Sequence, residues 1–320
     1  MTDSHKLSAH LDSPVILDGA LATYLETLGA DISGALWSAD ILLQNPSLIK
    51  QTHLDYYRAG AQVAITASYQ ASLAGLSKHL KLSDEQGKDV VKKSVQLAQE
   101  ARDDYLKDCG SHEKIKALWI AGSVGPYGAF LADGSEYRGD YTVEKEDMKA
   151  FHRGRMQALV DAGVDVLACE TIPSLDETEA LVELLQQEFK GEEAWFTFTL
   201  KDGLHISDGT PLSEIAKLFD DVEQVIAVGF NCTPDDVGLE ALKALKPLQQ
   251  GRRWKMIVYP NSGEQWNAAA REWEGKRTEG GLLAAKTRQW ADAGAMLVGG
   301  CCRTTPADIT VMRDVLQPKK

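Results

Sequence analysis

The stretch Arg58-Ala-Gly-Ala-Gln-Val-Ala-Ile-Thr-Ala-Ser68 recurs in pattern at two later places, Asp161-Ala-Gly-Val-Asp-Val-Leu-Ala-Cys-Glu-Thr171 and Asp292-Ala-Gly-Ala-Met-Leu-Val-Gly-Gly-Cys-Cys302. In each stretch the glycine follows an amphipathic segment, as a glycine that terminates a helix does. The apolar run after it is too short and too continuous for an amphipathic helix, so it predicts a buried strand. The pattern therefore predicts helix–turn–strand joints of alternating β/α units.

The rest of the chain extends this alternation. Five further strands are predicted at Val15–Ala20, Leu118–Gly125, Ala194–Leu200, Val225–Cys232 and Lys255–Asn261, with helical segments that include Ser47–Ala59, Asp84–Leu106, Lys145–Ala162 and Ser174–Phe189. Eight parallel strands over this length predict a closed (β/α)8 TIM barrel, with a doubly wound open sheet as the alternative. Because no linker rich in glycine, serine or proline divides the chain, we expect one domain over residues 1–320, with its core at about 14–316.

Composition excludes several classes of protein. The 320 residues are 44% hydrophobic and 25% charged, as in ordinary globular proteins, and the net charge is −13. Such acidity argues against a nucleic-acid partner, which would require clustered Lys and Arg. Membrane association is not expected, because no apolar run approaches the roughly 18 residues of a membrane span and the N-terminus lacks a signal-peptide core. Five cysteines do not resemble a disulfide framework, so the cytoplasm is the expected compartment.

Cysteines mark the ends of the sixth and eighth predicted strands. Cys232 ends Val-Gly-Phe-Asn-Cys, and Cys301 and Cys302 follow Val-Gly-Gly. The carboxyl ends of parallel strands share one rim, where active sites are built. Neighbouring strand residues face opposite ways, so we expect the Gly299-Gly300 pair to allow an irregular backbone that turns both sulfurs toward one ion. Three thiolates suit Zn²⁺, with a fourth position left open for chemistry.

Two acids are predicted at the same rim. Asp18 ends the first strand and Glu170 ends the fourth, and a pair of carboxylates there would suit an ammonium group. Ser174-Leu175-Asp176-Glu177 predicts a capping box at a helix start, which places Glu170 between strand end and helix. The seven histidines show no metal-binding spacing, and neither a dinucleotide-binding glycine motif nor a Gly-x-Ser-x-Gly elbow is present.

Two connections, Gly125–Tyr141 and Asn261–Gly281, are long for loops in a compact domain. The first is rich in glycine and aromatic residues, and the second carries Trp266 and Trp273. Since both leave strand ends that carry the chemistry, we expect them to cover the site.

Several motifs together resemble the homocysteine S-methyltransferase family from about Val15 to Val315. They are Leu17–Ala20, Cys169–Thr171, Asn231–Cys232 and Gly299–Pro306. The branch that uses S-methylmethionine is resembled most closely, through Ile65–Gln70, Gly122–Gly128, Ala132–Gly139 and Val258–Glu264. Relatives that use betaine or folate share the cysteines and the Asp-Gly turn but not the loop at 132–139.

The resemblance implies a zinc enzyme that makes methionine. Homocysteine sulfur at the open position of a three-thiolate zinc site would be deprotonated and would attack the methyl of a sulfonium donor, S-methylmethionine or S-adenosylmethionine. By the same resemblance, Asp18, Gly19, Ser68, Glu170 and Asn231 would bind or orient homocysteine. The aromatic residues Tyr127, Tyr137 and Tyr259 would face the sulfonium, and Asp133 or Glu136 would hold the ammonium of the donor.

Three alternatives stay open from the sequence. A betaine-type donor would use the same cysteines. A zinc-storage or redox protein would bind metal without consuming a methyl donor and would not require Asp18 or Glu170. A barrel enzyme with a cysteine nucleophile would stay active after metal chelation.

Overall fold

The computed structural model describes residues 5–32, 38–109, 117–267 and 272–318. Within these ranges eight parallel strands form one sheet, in chain order Val15–Ile16, Val63–Ile65, Trp119–Val124, Val166–Ile172, Ala194–Phe198, Val225–Asn231, Lys255–Tyr259 and Ala295–Val298. The second to eighth strands pair in the order of the sequence, and the first strand pairs with the eighth. The first and second strands meet through a parallel bridge between Leu17 and Val63 and a 3.0 Å hydrogen bond from the Asp18 amide to the Val63 carbonyl. The prediction of a (β/α)8 barrel is confirmed, and the open sheet is excluded.

Helices surround this barrel. They span Leu21–Thr27, Ser38–Gln44, Pro46–Ala59, Leu73–Leu80, Asp84–Cys109, Tyr127–Leu131, Lys145–Asp161, Leu175–Gln187, Leu212–Leu218, Asp235–Gln249, Gly280–Ala293 and Pro306–Leu316. The four helices predicted from the sequence are all present, and their ends differ from the predicted ones by at most three residues. Gly60 and Gly294 terminate their helices in the left-handed conformation, each with φ of 108°, as the repeated pattern predicts. In the described part of the chain, no helix is both long and apolar enough to cross a membrane.

Two local predictions at the rim are wrong. Glu170 lies inside its strand rather than after it, because the strand continues to Ile172. The capping box at Ser174 is not formed. The Glu177 carboxylate instead accepts hydrogen bonds from the Tyr127 amide and the Tyr141 hydroxyl, while Asp208 accepts from the Leu175 amide. Contacts with distant residues therefore engage the Glu177 side chain, which the local sequence predicts to cap the helix.

The amino end of the barrel is filled by the chain that precedes the first strand. Leu7 and Leu11 are buried among Trp119, Trp195 and other interior side chains. The indole of Trp119 donates to the His5 carbonyl at 2.9 Å, and the Ser8 amide donates to Glu193 at 3.2 Å. A larger apolar cluster fills the space between the strands and the surrounding helices, and it includes Cys169. The opposite, carboxyl end of the barrel is left for polar side chains.

The two long connections contain short elements that the sequence did not predict. Gly125–Tyr141 holds the helix Tyr127–Leu131 and a 3-10 turn at Ser135–Tyr137. Asn261–Gly281 holds an antiparallel pair, Gln265–Asn267 with Glu272–Glu274. Another short pair, Leu200–Asp202 with His205–Ile206, follows the fifth strand.

Candidate metal and substrate site

Three cysteine sulfurs converge at the carboxyl rim. The Sγ atoms of Cys232, Cys301 and Cys302 all lie within 4.8 Å of one another. Cys232 and Cys301 are paired as a disulfide, with their Cα atoms 5.5 Å apart, and the Cys302 sulfur lies 4.0 Å from that of Cys232. Residues that are 69 positions apart in the sequence thus share one small site.

The end of the seventh strand holds the two cysteine loops together. On one side, the Cys232 amide donates to the Tyr259 carbonyl at 3.4 Å and the Asn261 amide donates to the Thr233 carbonyl at 3.0 Å. On the other side, the Cys301 amide donates to the Pro260 carbonyl at 2.8 Å, and the Ser262 amide donates to the Cys302 carbonyl at 3.1 Å. Backbone hydrogen bonds therefore fix the distance between the loops. The seventh strand thus lies between the sixth and the eighth and brings their two cysteine loops together at the rim.

The two glycines before Cys301 serve close packing rather than an unusual backbone. A Cβ atom on Gly299 would lie 2.7 Å from the Asp18 carbonyl oxygen, and one on Gly300 would collide with the Thr304 side chain. The left-handed backbone occurs instead at non-glycine residues, with φ of 49° at Cys232, 69° at Arg303 and 64° at Thr171. Such conformations cost free energy and concentrate at functional sites.

The donor set fits a thiophilic metal ion. In a tetrahedral zinc site with Zn–S bonds of about 2.3 Å, sulfur atoms are about 3.8 Å apart, close to the separation of Cys232 and Cys302. Cys232 and Cys301 would have to be reduced and move apart to bind such an ion. Desolvation raises the pKa of the Cys302 thiol to about 12, with the negative charge of Glu136 adding to the shift. A thiolate at Cys302 is therefore favoured only with a cation beside it.

Asp18 and Glu170 form an acidic pair inside the same rim. Both are buried, and Glu170 accepts hydrogen bonds from the hydroxyl groups of Ser123 and Tyr259, the latter at 3.0 Å. Burial raises the pKa of Glu170 to about 7. Burial also raises the pKa of Asp18 well above its usual range, opposed by the Ile65 amide and reinforced by the charge of Glu170. One oxygen of Asp18, Oδ1, accepts no hydrogen bond from any residue that the structure describes, so the pair has capacity left for a cation.

The remaining residues predicted for homocysteine lie around this pair. The Ser68 hydroxyl is buried and donates to the Ser123 carbonyl at 2.7 Å. Gly19 packs so closely against Tyr56 and Thr304 that a Cβ atom would lie 2.8 Å from the Tyr56 ring. Asn231 bonds to the backbone amide and the hydroxyl of Thr171, at 2.8 Å each, and so it braces the left-handed residue next to Glu170.

The residues predicted for the methyl donor occupy different surroundings. Glu136 is buried, and its Oε2 atom has no hydrogen-bond partner within the described parts of the chain. Asp133 is exposed at 57% of its side chain and accepts from the Ser135 amide at 3.0 Å. Tyr137 is 44% exposed, whereas the Tyr127 ring packs against Phe130, Tyr141 and Phe151. Tyr259 is separate from all of these, since its hydroxyl lies inside the barrel against Glu170.

A buried polar network behind the Gly125–Tyr141 loop was missed by sequence reasoning. Glu177 lies 2.7 Å from the His152 ring and bonds to the Tyr127 amide, while Arg155 donates to the Gly125 and Tyr69 carbonyls. Burial lowers the pKa of His152 and lowers that of Arg155 to about 10. The His152 and Arg155 spacing, three residues apart on a helix, was the available clue.

Comparison with known proteins agrees with this geometry. The profile of the homocysteine S-methyltransferase family matches residues 15–316. The chain is 49% identical over 315 residues to the homocysteine S-methyltransferase of Escherichia coli (strain K12), covering 98% of this chain and 99% of that protein. It is 47% identical over 296 residues to homocysteine S-methyltransferase YbgG of Bacillus subtilis (strain 168), covering 92% of each.

A solved structure extends the match to three dimensions. The metallated form of the homocysteine methyltransferase MmuM from Escherichia coli aligns with a TM-score of 0.85 and 48% identity, covering 95% of this chain and 98% of that one. Sequence, fold and the cysteine cluster at the barrel rim thus lead to the same assignment: this chain is a methyltransferase and belongs to the homocysteine S-methyltransferase family.

Proposed function

We propose that this protein is a zinc-dependent homocysteine S-methyltransferase that forms methionine from homocysteine and a sulfonium donor, with S-methylmethionine as the preferred donor. The observation that carries the proposal is the convergence of Cys232, Cys301 and Cys302 on the rim that also carries Asp18 and Glu170. Relatives named homocysteine S-methyltransferase, at 47% and 49% identity, support the choice of acceptor.

The three cysteines would hold the metal as thiolates. A zinc ion bound there would lower the pKa of a fourth thiol, so that homocysteine is presented as a thiolate at neutral pH. The chain's own contribution is to fix the loop geometry through the seventh strand and to keep three sulfurs within 4.8 Å of one another. The Escherichia coli homocysteine methyltransferase MmuM, whose structure is described as a metallated form, supports the proposal of a bound metal.

The acidic pair would hold the homocysteine ammonium. Glu170 is oriented by two hydroxyl groups, and one Asp18 oxygen has no partner among the described residues, so the two carboxylates offer a buried anionic site beside the cysteines. Pairing with a cation compensates the cost of burying both acids. With its amino group held there, homocysteine can place its sulfur at the cysteine rim.

The methyl group is transferred by in-line displacement. The S–CH₃ bond to homocysteine forms as the bond from the donor sulfonium breaks, and the electron pair of the broken bond stays on the donor sulfur. The leaving thioether is neutral, so no general acid is required. With S-methylmethionine both products are methionine. Of the two candidate acids, Glu136 is the better partner for the donor cation. It is buried, and one of its oxygens has no partner in the described part of the chain, whereas Asp133 is exposed and accepts from Ser135.

A donor and chelator assay tests this function. Reduced, zinc-loaded protein is incubated with homocysteine and one of S-methylmethionine, S-adenosylmethionine or betaine, and methionine is quantified. We expect turnover with the sulfonium donors, highest with S-methylmethionine, and its loss after chelation with recovery when zinc is restored. Turnover that survives chelation would indicate a cysteine nucleophile, preference for betaine would overturn the donor assignment, and metal binding without methionine formation would indicate a storage protein.

Replacing Glu136 with glutamine should selectively weaken use of the donor. The substitution keeps the side-chain shape but removes the buried negative charge, which is near enough to Cys302 to raise the pKa of that thiol. Loss of about 2 kcal/mol of charge pairing would lower kcat/KM for S-methylmethionine by roughly 30-fold. The KM for homocysteine at saturating donor should change little.

The matched control for this variant is Asp140→Asn. Asp140 lies in the same loop and is exposed, pairing with Arg138 at 2.9 Å. It should leave both kinetic constants unchanged. A large rise in donor KM for Asp133→Asn, with none for Glu136→Gln, would move the donor cation to Asp133.

A further inference from the structure

Tyr259 lies at the centre of a hydrogen-bonded cluster inside the barrel. Its side chain is 2% exposed, and its hydroxyl lies 3.2 Å from the Trp195 indole nitrogen, 2.7 Å from the Thr197 hydroxyl and 3.0 Å from Glu170 Oε2. These partners come from the fourth and fifth strands, whose interior side chains face the seventh. The phenol is therefore enclosed by polar groups and is not a free aromatic face at the mouth of the site.

The direction of each hydrogen bond follows from the chemistry of the groups. An ionised carboxylate and an indole nitrogen have fixed roles, the first as acceptor and the second as donor. The single phenolic hydrogen must then go to Glu170, and Thr197 must donate to the Tyr259 oxygen. Trp195 and Thr197 thus both donate to Tyr259, and Tyr259 donates to Glu170. Because the phenol oxygen accepts these two hydrogen bonds, the Tyr259 O–H becomes a stronger donor to Glu170.

Glu170 also accepts a hydrogen bond from a second hydroxyl group. Ser123 donates to Oε1, so each carboxylate oxygen has one fixed donor. Donors from two strands, the third and the seventh, thus set the plane of the carboxylate, and its remaining lone pairs can accept from a bound cation. A carboxylate without these donors could rotate within the barrel, and its orientation toward a bound ammonium would be lost.

We infer that Tyr259 is a positioning residue that orients the Glu170 carboxylate for the amino group of homocysteine, rather than a contact for the methyl donor. The inference rests on the proposed function, because it assumes that Glu170 holds the ammonium of the acceptor. It deepens that function by assigning Tyr259, and through it Trp195 and Thr197, to recognition of the acceptor.

The test is Tyr259→Phe, which keeps the ring and removes the hydroxyl. We expect the KM for homocysteine to rise about 10- to 100-fold, the range for losing one hydrogen bond to a charged group. The KM for S-methylmethionine and the kcat at saturating homocysteine should each stay within about threefold of wild type, since neither depends on how Glu170 is oriented once the acceptor is bound. The preference for homocysteine over 4-mercaptobutanoate, its analogue without the amino group, should fall by the same factor as the KM rises.

A second variant guards against a simple folding defect. Thr197→Val keeps the side-chain shape and leaves the Tyr259 hydroxyl in place but removes one donor to it. It should raise the homocysteine KM in the same direction by a smaller factor. The matched control is Tyr57→Phe, which removes a hydroxyl from another fully buried tyrosine, one that lies 3.4 Å from the Trp119 carbonyl between helix and barrel. Its kinetic constants should equal those of wild type.

The outcomes separate this inference from the proposed function. A rise in donor KM with unchanged homocysteine KM in Tyr259→Phe would make the residue a donor contact and overturn the inference. Unchanged discrimination against 4-mercaptobutanoate would overturn it as well, because the hydroxyl would then have no effect on ammonium recognition. Absence of methyl transfer to homocysteine by the wild-type protein with every donor would instead refute the proposed function, and this inference with it.

Discussion

Cys232→Ser is expected to abolish metal binding and methyl transfer together. Serine keeps the size of the side chain but replaces a soft thiolate with a hydroxyl that stays protonated at neutral pH. Two sulfurs from a single loop would remain, at Cys301 and Cys302, and they would no longer define a three-thiolate site. Zinc content by elemental analysis should fall from about one per chain to near zero. Methionine formation should fall by more than about 100-fold, beyond the usual cost of losing only an outer-shell partner of a metal ligand.

The control for this substitution is Cys109→Ser. Cys109 is at the end of the helix Asp84–Cys109, on a different element from the cysteine loops, and it is a free thiol. This variant should bind zinc and turn over as the wild type does. Retained turnover in metal-free Cys232→Ser would refute the proposed role of the cluster, because activity would then be independent of the ion.

Glu170→Gln is expected to remove most of the affinity for homocysteine. The amide keeps the size of the carboxylate but not its charge, and one of its two polar atoms becomes a donor that faces hydroxyl donors. Truncating one partner of a buried charge pair costs about 2–5 kcal/mol, so kcat/KM for homocysteine should fall by about 30-fold or more. The KM for the sulfonium donor should stay near its original value. Steady-state kinetics with each substrate varied in turn separates the two effects.

The same carboxylate predicts a pH dependence. Burial raises the pKa of Glu170 to about 7 in the protein without substrate, and only the charged form pairs with an ammonium. As the pH falls through about 7, Glu170 takes up a proton, and kcat/KM for homocysteine should decrease, since this ratio reports the ionisation of the free enzyme. Glutamine cannot titrate, so Glu170→Gln should lack this component of the acid limb.

A matched control for Glu170→Gln exists at the other end of the barrel. Glu193 is also buried, but it lies at the amino end, where it accepts from Ser8. Glu193→Gln should leave the homocysteine kinetics unchanged even if it lowers the melting temperature. Equal losses of kcat/KM in both variants would show that a buried carboxylate is needed for folding only, and would refute a binding role for Glu170.

The barrel and the position of the cysteines could be predicted because they depend on periodic features. Glycines that end helices and the short apolar runs that follow them define the order of helices and strands. In a parallel barrel that order alone brings Cys232 and Cys301 to one rim. The family resemblance follows from the same short motifs. Neither prediction requires knowledge of where a side chain points.

The details that could not be predicted all depend on side-chain direction or on distant partners. Tyr259 ends a strand that is buried on both faces, so the sequence around it has no polar and apolar alternation to show that its hydroxyl points inward. Glu177 has the spacing of a capping box, yet it bonds to Tyr127, Tyr141 and His152 from two other segments. Glycines before Cys301 suggested backbone freedom, whereas the structure uses them to let Asp18 and Thr304 approach.

The packing of Leu7 and Leu11 under the barrel has a consequence for how small molecules move through the protein. Their side chains form an apolar layer with Trp119 and Trp195. The Trp119 indole donates a hydrogen bond to the His5 carbonyl, and the Ser8 amide donates one to Glu193, so this layer is held to the strands. We therefore expect a substrate to reach Glu170 from the carboxyl end of the barrel and its product to leave by the same end. Truncation of the first dozen residues would remove this apolar layer and expose the amino end of the barrel interior to water.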